Sequence, residues 1–195
     1  MNRAPPDHLQ RSELRRILAL AAPVALTGLN WTLLQVTDVA VVGMVSTHEA
    51  AALGASRSIT FVGIVTGLAW LSGVMVFAAR ADGAGDRRRI GGVLREGVTL
   101  AATLGLVLGA LLLLFAAPLL GMIGVAPALV SPSARVVRVI ALGYPFQLVL
   151  IATGFLLEGI SRPGRVAAVN LAMLPVNALL AWALSGGHLG LPVWG

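Results

Sequence analysis

Five long apolar segments, separated by short polar connections, constrain this chain more than any other feature. They lie at residues 17–44, 59–79, 98–120, 136–157 and 166–185. Each has about the length, roughly 20 residues, that an α-helix needs to cross the hydrocarbon core of a bilayer. Spanning β-strands would instead show alternating polarity in segments of about ten residues. The segments therefore predict an all-α integral membrane protein, a bundle of five transmembrane helices.

The composition excludes a soluble enzyme. Hydrophobic residues make up 57% of the 195 and charged residues 11%, where a globular domain carries about 25% charged residues. The chain has no cysteine, no P-loop and none of the short hydrolase or metalloprotease motifs, such as His-Glu-x-x-His. We therefore expect neither an enzyme nor a bound cofactor.

The arginines predict the orientation. All 14 basic residues are arginines, and with a cytoplasmic N-terminus eleven of them fall on the cytoplasmic side, leaving Arg57, Arg135 and Arg138 outside. The positive-inside rule then makes residues 1–16 a cytoplasmic segment and 186–195 an outer loop. The basic clusters are interpreted as topology determinants rather than a nucleic-acid surface. Transporters built of paired repeats have an even span number, so we expect the chain to stop before a sixth span.

Asp38 is the main candidate for function. It is the only acid well inside a span, where a charge costs about 2.5–3.5 kcal/mol on insertion scales. Steps of three and four residues place it on one helical face with Asn30 and Gln35, a face suited to line a cavity. Asp38 is thus a candidate site for a proton or an ion such as Na⁺. The alternative is that it lies near the outer interface and is merely hydrated.

Asn170 and Asn177 are candidates on the fifth span. They lie seven residues apart on one face, with Pro175 between them, and could share the cavity of Asp38. Interhelical hydrogen bonds that only hold the bundle together are the alternative, at about 1 kcal/mol per contact.

Three further patterns favour structural roles. The spacing Gly63-x-x-x-Gly67, and its repeat at Gly105 and Gly109, predicts close helix packing. Glu158 and Arg162, four residues apart, predict an ion pair at the end of the fourth span. The dense Ser-Pro-Ser sequence at 131–133 predicts a turn, as does Pro-Gly at 163–164.

Four motifs in order resemble the multidrug and toxic compound extrusion (MATE) family, in particular its NorM-like branch. The resemblance runs along essentially the whole chain. The first motif combines Ala22-Pro23 with residues 37–43 of the first span, and the other three are residues 83–87, 154–162 and 177–182. It implies a twelve-helix antiporter of two six-helix lobes, of which this chain is most of the N-terminal one. It also implies export of bulky, often cationic or amphiphilic organic compounds across the bacterial inner membrane, in exchange for H⁺ or Na⁺.

The same resemblance limits which residues carry over. Asp38 and Asn177 match the family's pattern, but Ala181 stands where many relatives have a second acid. The partners implied are small organic substrates, membrane lipid and the missing C-terminal lobe, with no nucleic acid.

Two other functions stay open at this point. A related flippase for lipid-linked oligosaccharides or polysaccharides would need basic residues in its cavity for phosphate, and the spans hold none apart from Arg57 near an outer end. A non-transporting membrane scaffold or inactive fragment would have no reason to bear the insertion cost of Asp38.

The orientation has a direct test, because the chain lacks cysteine. Single cysteines introduced at 121–133 should react with a membrane-impermeant thiol reagent in whole cells, and cysteines at 80–89 should react only after lysis. The reverse labelling pattern would contradict the predicted orientation.

Overall fold

The computed structural model describes residues 7–185 and confirms an all-α fold of five helices. Each of the five is long and apolar enough to cross a membrane. Their bounds are Asp7–Val45 (α1), Thr47–Gly83 (α2), Arg87–Met122 (α3), Pro127–Gly159 (α4) and Pro163–Ser185 (α5). The predicted outer loop at 186–195 lies outside the described residues, as do residues 1–6 of the predicted cytoplasmic segment.

The connections between helices are shorter than their polar composition suggests. Helix α2 begins directly after Ser46, whose side chain accepts a hydrogen bond from the Glu49 amide, and α3 follows Asp86, which caps the Arg89 amide in the same way. The polar segment 80–89 therefore contains only three residues outside a helix. Gly85 there has φ 68°, a conformation that favours glycine.

Two turn predictions have opposite outcomes. The Pro163-Gly164 signal is right, since α4 ends at Gly159 and Pro163 begins α5. The turn predicted at 131–133 is wrong, because α4 already begins at Pro127 and runs through Pro132. Pro127 supplies the helix start there, as proline suits a first turn whose N–H groups have no helical partner.

Helix α4 is the centre of the bundle, with α2 and α3 packed against it. Its buried residues recur at steps of three and four and include Val137, Ala141, Tyr144, Leu148 and Ala152. Tyr144 is fully buried, and its hydroxyl donates a hydrogen bond to the main-chain oxygen of Thr60 on α2. The large apolar side chains mostly point outward, as expected of a fold whose solvent is lipid.

The glycine pairs of α2 and α3 form the contact surfaces for α4, as predicted. A β-carbon at Gly63 would lie 2.6 Å from the Tyr144 hydroxyl oxygen. One at Gly105 would lie 2.5 Å from the Cα of Pro145, and one at Gly109 would lie 2.7 Å from the main-chain oxygen of Ala141. Glycine at these positions lets the helix backbones approach each other closely.

Helices α1 and α5 form a pair that flanks this three-helix core. They contact each other extensively, α1 also touches α2, and α5 touches α4. The first and last helices of the chain are thus neighbours. Polar residues on α1, α2 and α5 can therefore meet.

Replacing Gly105 by alanine should destabilise the bundle by about 1–3 kcal/mol, because the new methyl group meets backbone rather than a flexible side chain. The matched control is Gly143→Ala on α4, where a β-carbon would meet nothing within 4 Å. Thermal unfolding of the detergent-purified chain should show a lower midpoint for Gly105→Ala only. Equal midpoints for the two variants would contradict the packing described.

Candidate functional site: a carboxylate shared by three helices

The carboxylate of Asp38 joins α1 to two other helices. Its Oδ2 lies 3.1 Å from Nη2 of Arg57 on α2, and its Oδ1 accepts a hydrogen bond of 2.8 Å from Nδ2 of Asn177 on α5. In the part of the chain that the structure describes, this is the only ion pair. Asp38 and Asn177, 139 positions apart in sequence, are therefore direct neighbours.

Arg57 holds a second contact with α1. Its Nη1 donates a hydrogen bond of 2.9 Å to the main-chain oxygen of Gln35. The guanidinium thus bridges two acceptors one turn apart on α1, which fixes its orientation. The side chains of Arg57 and Asp38 are 24% and 35% exposed, so the pair is only partly withdrawn from the surroundings.

The structure places Arg57 inside a helix, where the sequence predicts a connection. Helix α2 starts at Thr47 rather than near residue 59, so Arg57 lies ten residues inside it, about 15 Å along the helix axis. Asp38 lies seven residues before the end of α1, a comparable depth of about 10 Å. A signal was available in the sequence, since charged residues at membrane depth usually pair with one another.

Asn30 and Asn170 form a second link between α1 and α5. Asn30 is 1% exposed, and its Nδ2 donates a hydrogen bond of 3.0 Å to the main-chain oxygen of Asn170. Asn170 thus contributes its backbone to this bond. This link lies two turns from Asp38, about 12 Å along α1. The Oδ1 of Asn30 is buried and has no hydrogen-bond partner among residues 7–185.

Gln35 contributes to the edge of the site in two ways, by a main-chain hydrogen bond and by lining a groove. Its main-chain oxygen binds Arg57, and its side chain lines a groove of about 480 Å³ on the surface of α1 and α2. The groove is mostly apolar, and Arg57 forms part of its wall. The residues that line it are Thr32, Gln35, Val36, Val39, Ala40 and Arg57.

The ion pair predicted between Glu158 and Arg162 is absent. Helix α4 ends at Gly159, and Ser161 takes a φ of 57°, which reverses the chain before Arg162. The two side chains are therefore not on successive turns of one helix, which the predicted pairing required.

A metal ion has a poor donor set here. The structure contains no group of three or more histidine, cysteine, aspartate or glutamate side chains that could hold a metal, within residues 7–185. At Asp38 both carboxylate oxygens already accept hydrogen bonds from nitrogen donors. The described side chains around Asp38 therefore present an ion pair and an amide N–H rather than a set of oxygen ligands.

Known proteins similar to this chain are multidrug resistance proteins by name. The chain matches the MatE family over residues 23–183. It is 30% identical over 185 residues to the multidrug resistance protein PmpM of Pseudomonas aeruginosa, covering 95% of this chain and 39% of that protein. Probable multidrug resistance proteins NorM from Caulobacter vibrioides and Bradyrhizobium diazoefficiens are 36% and 32% identical, over 94% and 98% of this chain.

These relatives are much longer. The chain spans 39% to 41% of the lengths of the three proteins just named. No solved structure matches the chain.

The Asn30 bond should contribute measurably to the attachment of α1 to α5. Asn30→Ala removes a buried interhelical hydrogen bond and should lower the free energy of unfolding by about 1–2 kcal/mol. Thr32→Ala is the control, because the Thr32 hydroxyl is exposed and bonds only to Gly28 of its own helix. A thermal midpoint for Asn30→Ala no lower than that of Thr32→Ala would show that the bond does not hold the helices together.

Proposed function

The chain belongs to the MatE family, and we propose on that premise that it forms part of a multidrug efflux transporter. The complete transporter would export small organic compounds, many of them cationic or amphiphilic, in exchange for H⁺ or Na⁺. It would act as a multi-pass protein of the bacterial inner membrane with a cytoplasmic N-terminus. It would be a transporter and not an enzyme.

The observation that carries this proposal is the carboxylate of Asp38, shared by α1, α2 and α5. A charged group within a span is costly for a protein whose only task is to stay in the membrane. Its contacts also join helices that otherwise depend on few polar bonds. A change in the charge of Asp38 would therefore alter how α1 is held against both neighbours.

This arrangement provides a physical route from ion binding to conformational change. Binding of the coupling ion at Asp38 competes with the bond to Arg57, so the two states of the site hold α1 differently. The ion shifts the balance between conformations only by its differential affinity, about 1.4 kcal/mol for each tenfold difference. Alternating access further requires a second bundle that moves against this one, and the greater length of the relatives is consistent with such a partner lobe.

A flippase remains the weaker alternative. Arg57, the one basic residue that the sequence placed near a span, lies at the site, but its charge is matched by Asp38. No second cation binds this carboxylate within the described helices, so phosphate would have to compete with Asp38 for Arg57. A scaffold without transport activity gives no reason for an ion pair at this position.

The test is a chimera in which residues 1–195 replace the matched segment of the Pseudomonas relative, reconstituted in liposomes. Ethidium export driven by an ion gradient should be lost in Asp38→Asn, which keeps the size and polarity of the side chain but cannot be charged. Ethidium binding by that variant should persist. The matched control is Asp82→Asn, the same change at an exposed acid near the end of α2.

Undiminished gradient-driven export by Asp38→Asn would remove Asp38 from the mechanism. A chimera that is monodisperse and binds ethidium, yet exports none under any gradient, would contradict the transport function itself.

A further inference from the structure

We propose that Arg57 is a resident cation of the Asp38 site that keeps Na⁺ out, so that the site serves a proton. This rests on the proposed function and deepens it by naming the coupling ion. The inference rests on the contacts of Arg57, which lies inside α2 in the structure and was not placed there by the sequence analysis.

The oxygens that could hold a sodium ion are already bound by nitrogen donors. Na⁺ is coordinated in such folds by carboxylate and carbonyl oxygens. Here Oδ2 of Asp38 and the main-chain oxygen of Gln35 bind the two terminal nitrogens of Arg57, at 3.1 and 2.9 Å. Oδ1 of Asp38 binds the amide nitrogen of Asn177 at 2.8 Å. Each oxygen keeps a second lone pair, but a sodium ion there would lie against the guanidinium charge, and it could use the Asn177 side chain only if that amide turned its oxygen toward the site.

The charge of Arg57 opposes any second cation at this carboxylate, so the discrimination between Na⁺ and a proton comes from space and ligands. Its guanidinium stays protonated at any pH that a cell reaches, so it cannot neutralise itself to admit a second cation. If it leaves Asp38, it still lines the groove next to Gln35 and repels a cation bound at the same carboxylate.

A proton differs from Na⁺ in what it needs. It binds to one carboxylate oxygen and requires neither a cage of ligands nor the space that the guanidinium fills. When Oδ2 takes the proton, its hydrogen bond with Arg57 is lost, and the groove offers the guanidinium a place close by. Oδ1 can keep its bond with Asn177 throughout.

Other titratable groups are remote from this exchange. The hydrogen bonds of the Asp38 carboxylate go to Arg57 on α2 and Asn177 on α5 alone. Helix α5 has no acidic or basic residue beyond Arg165, three positions into the helix. On α2 the nearest are His48 and Glu49, in the first turn and two turns or more before Arg57. Arg57 is therefore the group that sets the cation preference.

The experiment measures binding of radioactive ²²Na⁺ to the purified 195-residue chain in lipid nanodiscs. The unmodified chain and the control Arg135→Met, which changes an exposed arginine of α4, should show no saturable Na⁺ binding. Arg57→Met should bind Na⁺ saturably, at concentrations at least about tenfold below any at which the unmodified chain begins to bind it. The double variant Arg57→Met with Asp38→Asn should lose that binding again.

Saturable Na⁺ binding by the unmodified chain, with the affinity of Arg57→Met, would overturn the proposal. So would an Arg57→Met chain that is monodisperse and binds no Na⁺. If Arg57→Met does not yield folded protein, Arg57→Gln serves in its place, since its amide can still donate to the Gln35 oxygen.

The gradient experiment separates this inference from the proposed function. In the chimera a pH gradient should drive ethidium export, and a Na⁺ gradient at equal pH should not. Export driven by Na⁺ alone would contradict the role of Arg57 while supporting transport. A loss of all export would contradict the transport function, and the Na⁺-binding comparison would still decide the role of Arg57.

Discussion

In a hydrocarbon solvent, helices gain little by burying apolar side chains against each other, and the rest of this structure depends on that constraint. What remains is close packing and polar contact between helices. The core of α2, α3 and α4 is held by close packing. Small residues on α2 and α3 allow both backbones to approach α4, where the Pro145 backbone lies against Gly105 and the Tyr144 ring against Gly63. The large apolar side chains are left for lipid.

The pair formed by α1 and α5 is held by polar contacts between helices. Asn30 bonds to the backbone of α5, and Asp38 bonds to Asn177 on α5 and to Arg57 on α2. Polar bonds in a membrane respond to the protonation and charge of their members, whereas glycine packing does not. The bundle is thus divided into a core held by shape and a flanking pair whose attachment depends on charge. This division suits a protein in which one part must move relative to another.

The contact with Arg57 changes the chemical environment of Asp38. An isolated carboxylate in a span would be a general cation site, open to a proton or a metal ion. A carboxylate with an arginine on one oxygen and an amide N–H on the other is already satisfied. Asp38 and Asn177 considered alone would suggest a sodium site, since the sequence predicts that they could share one cavity.

The five spans, the glycine contacts and the candidacy of Asp38, Asn177 and Asn30 were predictable from the sequence. They depend on local composition, helical period and the cost of charge in lipid, which a single segment displays. The extent of α2 was not, because the helix begins at the N-cap Ser46 and includes weakly apolar residues and Arg57 before the long apolar stretch. The pairing of α1 with α5, which joins residues about 140 positions apart, was only one of two alternatives that the sequence left open. Which helices become neighbours follows from how all five pack around α4, and that packing decides which donors reach the carboxylate of Asp38.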